Sequence, residues 1–281
     1  MLLAQEPVLL AHFGSSVVLM ATHTQHGHGD VLDLDAELLA EQLASITEWL
    51  PVRSTPRRII DLGAGTGAGT FALLDRFPDA QVVAVDSSPE HLRRLREKAG
   101  TDSRVETVQA DLDADWPGLG TADLVWASAS LHHLADPDRA LRQIRGLLAT
   151  DGLLAVVELA GPPRFLPDDA PADRPGLEAR LHAIADRRIN AHLPHRGADW
   201  GAKLIAGDYT VEAERTLAIN NDAPPAELTG RYAQLILSKL GHAVAEELSA
   251  EDRKALGHLL ESLPHRTDLV VRTDRTVWAA R

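Results

Sequence analysis

Apolar and polar positions alternate in a regular way between residues 58 and 160. RIIDLG (58–63), QVVAVD (81–86), RVETVQAD (104–111), ADLVWASAS (122–130) and GLLAVVEL (152–159) are short apolar runs that read as strands. Between them AGTFALLDRF (68–77), SPEHLRRLREKAG (88–100) and DPDRALRQIRGLL (136–148) carry helical spacing. Pro89 near the start of the second and Gly100 just past its end mark its limits. Apolar strands separated by such helices predict a parallel sheet with right-handed crossovers and helices on both faces.

The flanks follow other patterns. DAELLAEQLASITEWL (35–50) places Leu38, Leu39, Gln42, Leu43, Ile46, Trp49 and Leu50 at helical spacing, with acids near its start. Pro51 and Pro56 then bracket a short linker. Residues 161–175 hold six prolines or glycines and read as a loop. Residues 178–190 and 198–206 predict helices, 209–220 an amphipathic strand, 226–262 two helical stretches and RTVWAAR (275–281) a terminal strand.

Composition narrows the class. The 281 residues are 44% apolar and 25% charged, which is the balance of a globular chain. With no cysteine, the chain has no disulfide, thiolate metal site, iron–sulfur cluster or cysteine nucleophile. A net charge of −13 argues against nucleic acid or an anionic membrane as the main partner. That charge is unevenly placed: Glu6, Asp30, Asp33, Asp35, Glu37, Glu41 and Glu48 all precede the first basic residue, Arg53. The opening MLLAQEPVLLAHFGSSVVLMA lacks a positive charge and is broken by Glu6 and Pro7, so it reads as neither a secretory leader nor a bilayer span. A cytoplasmic protein is the expectation, with residues 1–19, ahead of Met20, readable as an extension.

The chemistry concentrates where strands meet helices. Asp61-Leu62-Gly63-Ala64-Gly65-Thr66-Gly67 joins the first strand to the first helix, where glycines let the backbone turn tightly and approach a ligand. GAGTGA also meets the dinucleotide pattern with Ala68 in the last place, so a nicotinamide cofactor stays open at this point. Asp86 ends the second strand, where a carboxylate can accept both hydroxyls of a ribose; it could equally cap the helix that follows. Asp111 in Gln-Ala-Asp-Leu could meet an adenine amino group or belong, with Asp113 and Asp115, to a solvated acidic loop. SASLHH (128–133) follows the fourth strand at the crevice where such sheets bind ligands.

IIDLGAGTG, VVAVD, VQADL and ADLVWASASLHHLADP together resemble the motif series of class I S-adenosylmethionine-dependent methyltransferases, and within them the small-molecule branch that includes quinone-biosynthesis enzymes. The resemblance covers residues 58–160. It implies a Rossmann-like, seven-stranded, mostly parallel sheet with helices on both faces and an antiparallel last strand, 275–281, beside a sixth, 209–220. The helical stretch at 226–262, where the family pattern has a short turn, is a departure that leaves the strand pairing at the C-terminus open. By position, cofactor contacts are implied for Asp61, Gly63, Ala64, Gly65 and Gly67, for Asp86 with Ser87, for Asp111 with Leu112, and for Ala127 and Ser128. The implied organisation is a tail and cap helix (1–52), an S-adenosylmethionine-binding core (53–160), and substrate-side helices with the last two strands of the same sheet (161–281).

The remaining candidates are weaker. His132 and His133 are the residues placed for general-base catalysis, although the pair recurs in family members of differing chemistry and packing or cofactor contact is the first reading. His23, His26 and His28 have ligand-like spacing, but Gly27 and Gly29 loosen it, and a lid is preferred to a metal site. Arg187, Arg188, His192, His195 and Arg196 form a solvated charge run or recognise an anionic acceptor, and Trp200 nearby reads as core. The expected reaction is methyl transfer to a small natural-product or quinone-like acceptor, yielding S-adenosylhomocysteine. A nicotinamide oxidoreductase and a non-catalytic cofactor-binding protein are the alternatives. A homodimer is left open, and the acidic cap is expected to close over a cationic cofactor.

Overall fold

A computed structural model describes residues 26–221 and 224–281 of the chain. Seven strands form one sheet: β1 (Arg58–Leu62), β2 (Gln81–Asp86), β3 (Val105–Gln109), β4 (Ala122–Ser128), β5 (Leu148–Leu159), β6 (Val211–Asn221) and β7 (Val271–Ala280). Their order is β3-β2-β1-β4-β5-β7-β6. The first five pair in parallel, and β7 runs antiparallel to both of its neighbours, β5 and β6. The strand order reverses between β1 and β4, which opens a crevice at the carboxyl ends of the strands.

Successive residues of the buried strands point to opposite faces, and each face is covered. Ile59, Val82, Leu124 and Ala155 pack under Leu43 and Ile46 of α2 (Ala40–Trp49) and Leu73 of α3 (Ala68–Arg76). Ile60, Val83, Val125 and Leu154 pack under Leu141 and Ile144 of α5 (Pro137–Leu147) and Leu204 of α7 (Trp200–Ala206). Trp200 is fully buried in this second layer. The layers are completed by α4 (Pro89–Ala99), whose start is capped by Ser88 rather than Asp86: the Ser88 hydroxyl accepts from the His91 amide.

The stretch 35–50 is not one helix. It ends α1 (His26–Leu38) and, after Leu39, begins α2. The reason lies in what each half buries: α2 faces the sheet, whereas Leu34, Leu38 and Leu39 enter a separate apolar cluster. That cluster joins α1 to α6 (Leu177–His192), α8 (Ala226–Ala243) and α9 (Ala250–Ser262) through Phe165, Leu181, Tyr232, Leu237 and Leu256. These helices form a roof. β7 starts four residues earlier than 275, because Val271–Asp274 continue the ladder with β6 beyond the point where β5 stops at Leu159↔Arg275. Beyond β6 the projecting ribbon meets a single bridge among the described residues, Arg164 to Arg272, and its Val271 and Ile219 are buried in the roof cluster. It carries α8 and α9 at the carboxyl end of β6, the same end as the crevice.

Acids of α1 tie the roof down. Asp35 accepts from the Tyr232 hydroxyl at 2.7 Å and from Nη2 of Arg275 at 2.5 Å. The Arg275 side chain is only 9% exposed, so its charge depends on this partner. Asp30 and Asp33 meet Arg94 of α4, and Asp33 also meets Lys98. Asp35→Ala, which strands the buried guanidinium, is expected to lower unfolding stability by about 3 kcal/mol. Chemical denaturation checks this, and an unchanged midpoint would remove the anchoring role.

Candidate active site

The crevice begins at the glycine loop. Leaving β1, Gly63 and Gly65 take φ of 72° and 55°, and a Cβ on Gly63 would lie 2.3 Å from Cβ of Ser130. Ser130 in turn donates its hydroxyl to the Leu62 carbonyl at 2.9 Å, which locks the loop after β4 against the end of β1. Gly65 is roofed by Leu32 of α1, whose Cδ1 lies 3.1 Å from where a Cβ would stand. The buried Ala64 completes the turn and helps pin it through its amide, which bonds the Val85 carbonyl of β2.

Asp86, at the end of β2, ties the loop to α4. One carboxylate oxygen accepts from the Gly65 amide at 2.8 Å; the other accepts from the Ser88 amide at 2.8 Å and lies 3.2 Å from Nδ1 of His91. Burial opposes the charge, yet the bonds from His91, Ser88 and Gly65 outweigh it and hold the carboxyl below its ordinary range. Two carboxylate oxygens offer about four lone-pair sites, so one acceptor position is left for a ligand.

Asp61 lies beneath the loop. Its side chain is buried and accepts from the Thr70 hydroxyl at 2.7 Å. Burial pushes its pKa up to about 7, opposed by the Thr70 bond and reinforced by the charge of Asp86. Asp61 and the wholly buried Ala127, paired between Leu62 and Val156, reach a ligand only through the backbone they hold in place. Ser87 and Asp111 are exposed at the crevice rim, Leu112 is buried, and Ser128 is half-buried at the end of β4. Asp111 closes a local turn by accepting from the Asp113 amide, so the acidic-loop reading and a rim position coexist.

His132 and His133 sit on a short 3-10 turn, Leu131–His133, with ring centroids 4.1 Å apart. His132 is buried and its Nδ1 lies 2.5 Å from Oε2 of Glu158 at the end of β5, while Oε1 of Glu158 accepts the His132 amide. Glu158 is absent from the candidates named from the sequence. It was visible there as a lone acid in the apolar run GLLAVVEL, because a buried glutamate needs a partner. His133 is exposed. From α1, His28 leans over the site, its ring 5.3 Å from that of His91. Burial, then Lys239 and His91, hold its pKa down to about 4, and its Nδ1 is buried without a partner. His23, the side chain of His26 and residues 1–19 lie outside the described residues, and among those described no three His, Asp or Glu side chains converge as a metal would need.

The basic run divides. Arg187 and His192 are exposed, His195 is half-buried, Arg188 lies 3.6 Å from Glu247, and Arg196 alone turns inward, with its side chain 9% exposed. These residues fit a cofactor with a ribose, a base and a charged amino-acid end. The crevice offers a carboxylate with a spare acceptor site and a backbone that no Cβ obstructs. It also offers a buried polar atom without a partner, His28 Nδ1.

Comparison with known proteins agrees with this geometry. A family profile described as a methyltransferase domain matches residues 60–154. A trans-aconitate 2-methyltransferase of Mycobacterium sp. (strain KMS) is 31% identical over 230 residues, 76% of this chain and 82% of that protein. A malonyl-[acyl-carrier protein] O-methyltransferase of Halorhodospira halophila is 37% identical over 137 residues, 49% of this chain and 46% of its own length. The chain thus spans about half the length of several curated relatives it matches. A solved structure of a putative methyltransferase from Bacillus halodurans shares the fold, with a TM-score of 0.54 at 16% identity, covering 86% of this chain and 98% of that one. The chain belongs to the class I S-adenosylmethionine-dependent methyltransferases. No helix among the described residues is long and apolar enough to cross a membrane.

The depressed pKa of His28 has a measurable consequence. Its ordinary value is 6.5 and its folded value about 4, so between these limits the unfolded chain binds the proton more readily. Its contribution is complete above about 6.5 and is lost as pH falls toward about 4. Asp61, raised from 3.8 to about 7, acts in the opposite direction over an overlapping range. Comparing His28→Gln with the parent isolates the histidine: the parent's unfolding free energy relative to the variant's should fall as pH drops from about 6.5 toward about 4. Parallel curves would show that the cap leaves His28 as free as in the unfolded chain.

Proposed function

We propose that this chain is a cytoplasmic enzyme that transfers the methyl group of S-adenosylmethionine to a small acceptor bearing a carboxylate. The observation that carries the reading is the Asp86 carboxylate, held between the Gly65 amide and α4 beneath a histidine with an unpartnered nitrogen. When bound, S-adenosylmethionine supplies an electrophilic methyl carbon on a sulfonium, and S-adenosylhomocysteine is the product. Asp86 and Ser87 would hold its ribose side, Asp111 and Leu112 the adenine side, and the Gly63–Gly67 turn with Ser128 the amino-acid end. Asp61, Ala64 and Ala127 shape that backbone from below.

What this chain contributes is placement. Holding two reactants in line supplies ~7–11 kcal/mol in favourable cases, and the roof of α1, α6, α8 and α9 keeps water from the reacting atoms. The trans-aconitate and malonyl groups in the names of the two relatives share a carboxyl, which favours a carboxylate acceptor over a quinone-like one. A carboxylate is already ionised at neutral pH, so no base must remove its proton. His132, fixed by Glu158, and His133 then wall the crevice instead of acting as general bases. The antiparallel β7 and the match to the methyltransferase profile weigh against a nicotinamide enzyme.

Calorimetry with S-adenosylhomocysteine, followed by mass spectrometry of small di- and tricarboxylates for a single added methyl group, tests the proposal. The parent protein should bind and methylate, and Asp86→Ala should weaken binding about 10- to 100-fold, the range for a hydrogen bond to a charged group. No binding at all would overturn the reading. Binding with no acceptor consumed would favour the non-catalytic alternative.

A further inference from the structure

Two buried side chains at the carboxyl end of β5 have donors that nothing in the protein uses. His182 of α6 is 1% exposed, and its Nε2 has no hydrogen-bond partner. The nearest acid, Glu178, stands 4.0 Å away, and its carboxylate is already spent on the amides of Phe165 and Leu166. Arg196 donates Nη2 to Asp186 at 3.1 Å, but its Nη1 is buried and unpartnered. A buried donor without a partner costs about 1–3 kcal/mol, so Arg196 Nη1 asks for an acceptor, and the unpartnered nitrogen of His182 lies within reach of its charge.

Their place in the fold says which. Gly161 follows the end of β5 by two residues, and a Cβ there would fall 2.6 Å from Nη2 of Arg196. The guanidinium therefore lies directly on the chain leaving β5, three residues past Glu158, the partner of His132. The electrostatics point the same way. Burial, then the charges of Arg164 and Arg196, keep His182 down at about 4, opposed only by Asp186. Arg164 and Arg272 also act on the buried Glu178. In a chain of net charge −13, this is a concentration of positive charge turned inward. Asp186, paired with Arg196 at 3.1 Å and 42% exposed on its side chain, offsets part of it and leaves the charge of Arg164.

We propose that Arg196 and His182 form an anion subsite that holds a carboxylate of the acceptor beside the crevice, an inference resting on the methyl-transfer reading above. Arg196 takes the carboxylate through its free Nη1, and His182 adds a second donor from Nε2. Arg164 contributes long-range attraction. Of the five basic residues between 187 and 196, only Arg196 serves the acceptor.

The full chain saturated with S-adenosylhomocysteine is titrated with malonate and with citrate, using their neutral methyl esters as controls. Binding is followed by calorimetry and by the imidazole NMR signal of His182. The parent should bind the anions but not the esters, with the His182 signal moving. Arg196→Gln should weaken anion binding at least tenfold and silence that shift while S-adenosylhomocysteine binding persists. Arg196→Lys, which keeps the charge but loses the forked geometry, should fall between the two and guards against a variant that merely misfolds. Equal anion binding by parent and Arg196→Gln, an unmoved His182 signal, or no anion binding by the loaded parent would overturn the subsite. Failure to bind S-adenosylhomocysteine would instead overturn the methyl-transfer reading.

Discussion

A nearly buried carboxylate must be surrounded by donors, and the site is arranged around that requirement at Asp86. The acid ends β2, and its charge is kept by the amides of Gly65 and Ser88 and by His91. Each donor fixes something larger. The Gly65 amide sets the curvature of the loop from β1, the Ser88 amide sets the first turn of α4, and His91 gives the cap residue His28 a ring to lie against. Removing the acid would therefore loosen three elements at once, which is why a single residue joins the sheet, the loop and the roof.

The acidic surplus has a structural use of its own. Asp30, Asp33 and Asp35 of α1 are matched by Arg94, Lys98 and Arg275 on α4 and β7. Exposed pairs of this kind contribute little individually, but the Asp35–Arg275 pair is largely shielded from water and ties the cap to the sheet's added ribbon. The negative charge near the N-terminus is thus held largely in contacts between elements. What faces the crevice from α1 is a neutral histidine and the apolar Leu32.

The central fold was legible because its signals are local. Five apolar runs, the glycines at 63, 65 and 67, and Asp86 each announce themselves within a few residues. Features that depend on distant partners were not. Nothing around Leu39 reports that one half of the helix faces the sheet and the other half a roof made of residues 165–269. In Val271–Asp274 only Val271 is apolar, and beyond β6 the stretch meets just one bridge among the described residues, Arg272 to Arg164, so a strand's alternation is missing from the sequence. His91 gains its role only once Asp86 has turned toward it. Glu158 was the exception, an isolated acid in an apolar strand whose partner, His132, lies 26 positions earlier. Among Arg187–Arg196 all the basic side chains look alike in sequence, and only the packing of α6 against the chain leaving β5 separates Arg196 from the rest.

The β6–β7 ribbon has one further consequence. Because the two strands lie side by side, the segment between Asn221 and Val271 leaves and re-enters the sheet at neighbouring points. Closing such an excursion costs only about (3/2)RT ln n, so its length changes the chain's entropy slowly. Helices can be added, lost or replaced there without disturbing the register of β1 to β5 or the glycine turn. The architecture separates an inherited half that must stay fixed from an interchangeable half that can drift, and α8 and α9 are this chain's version of the second.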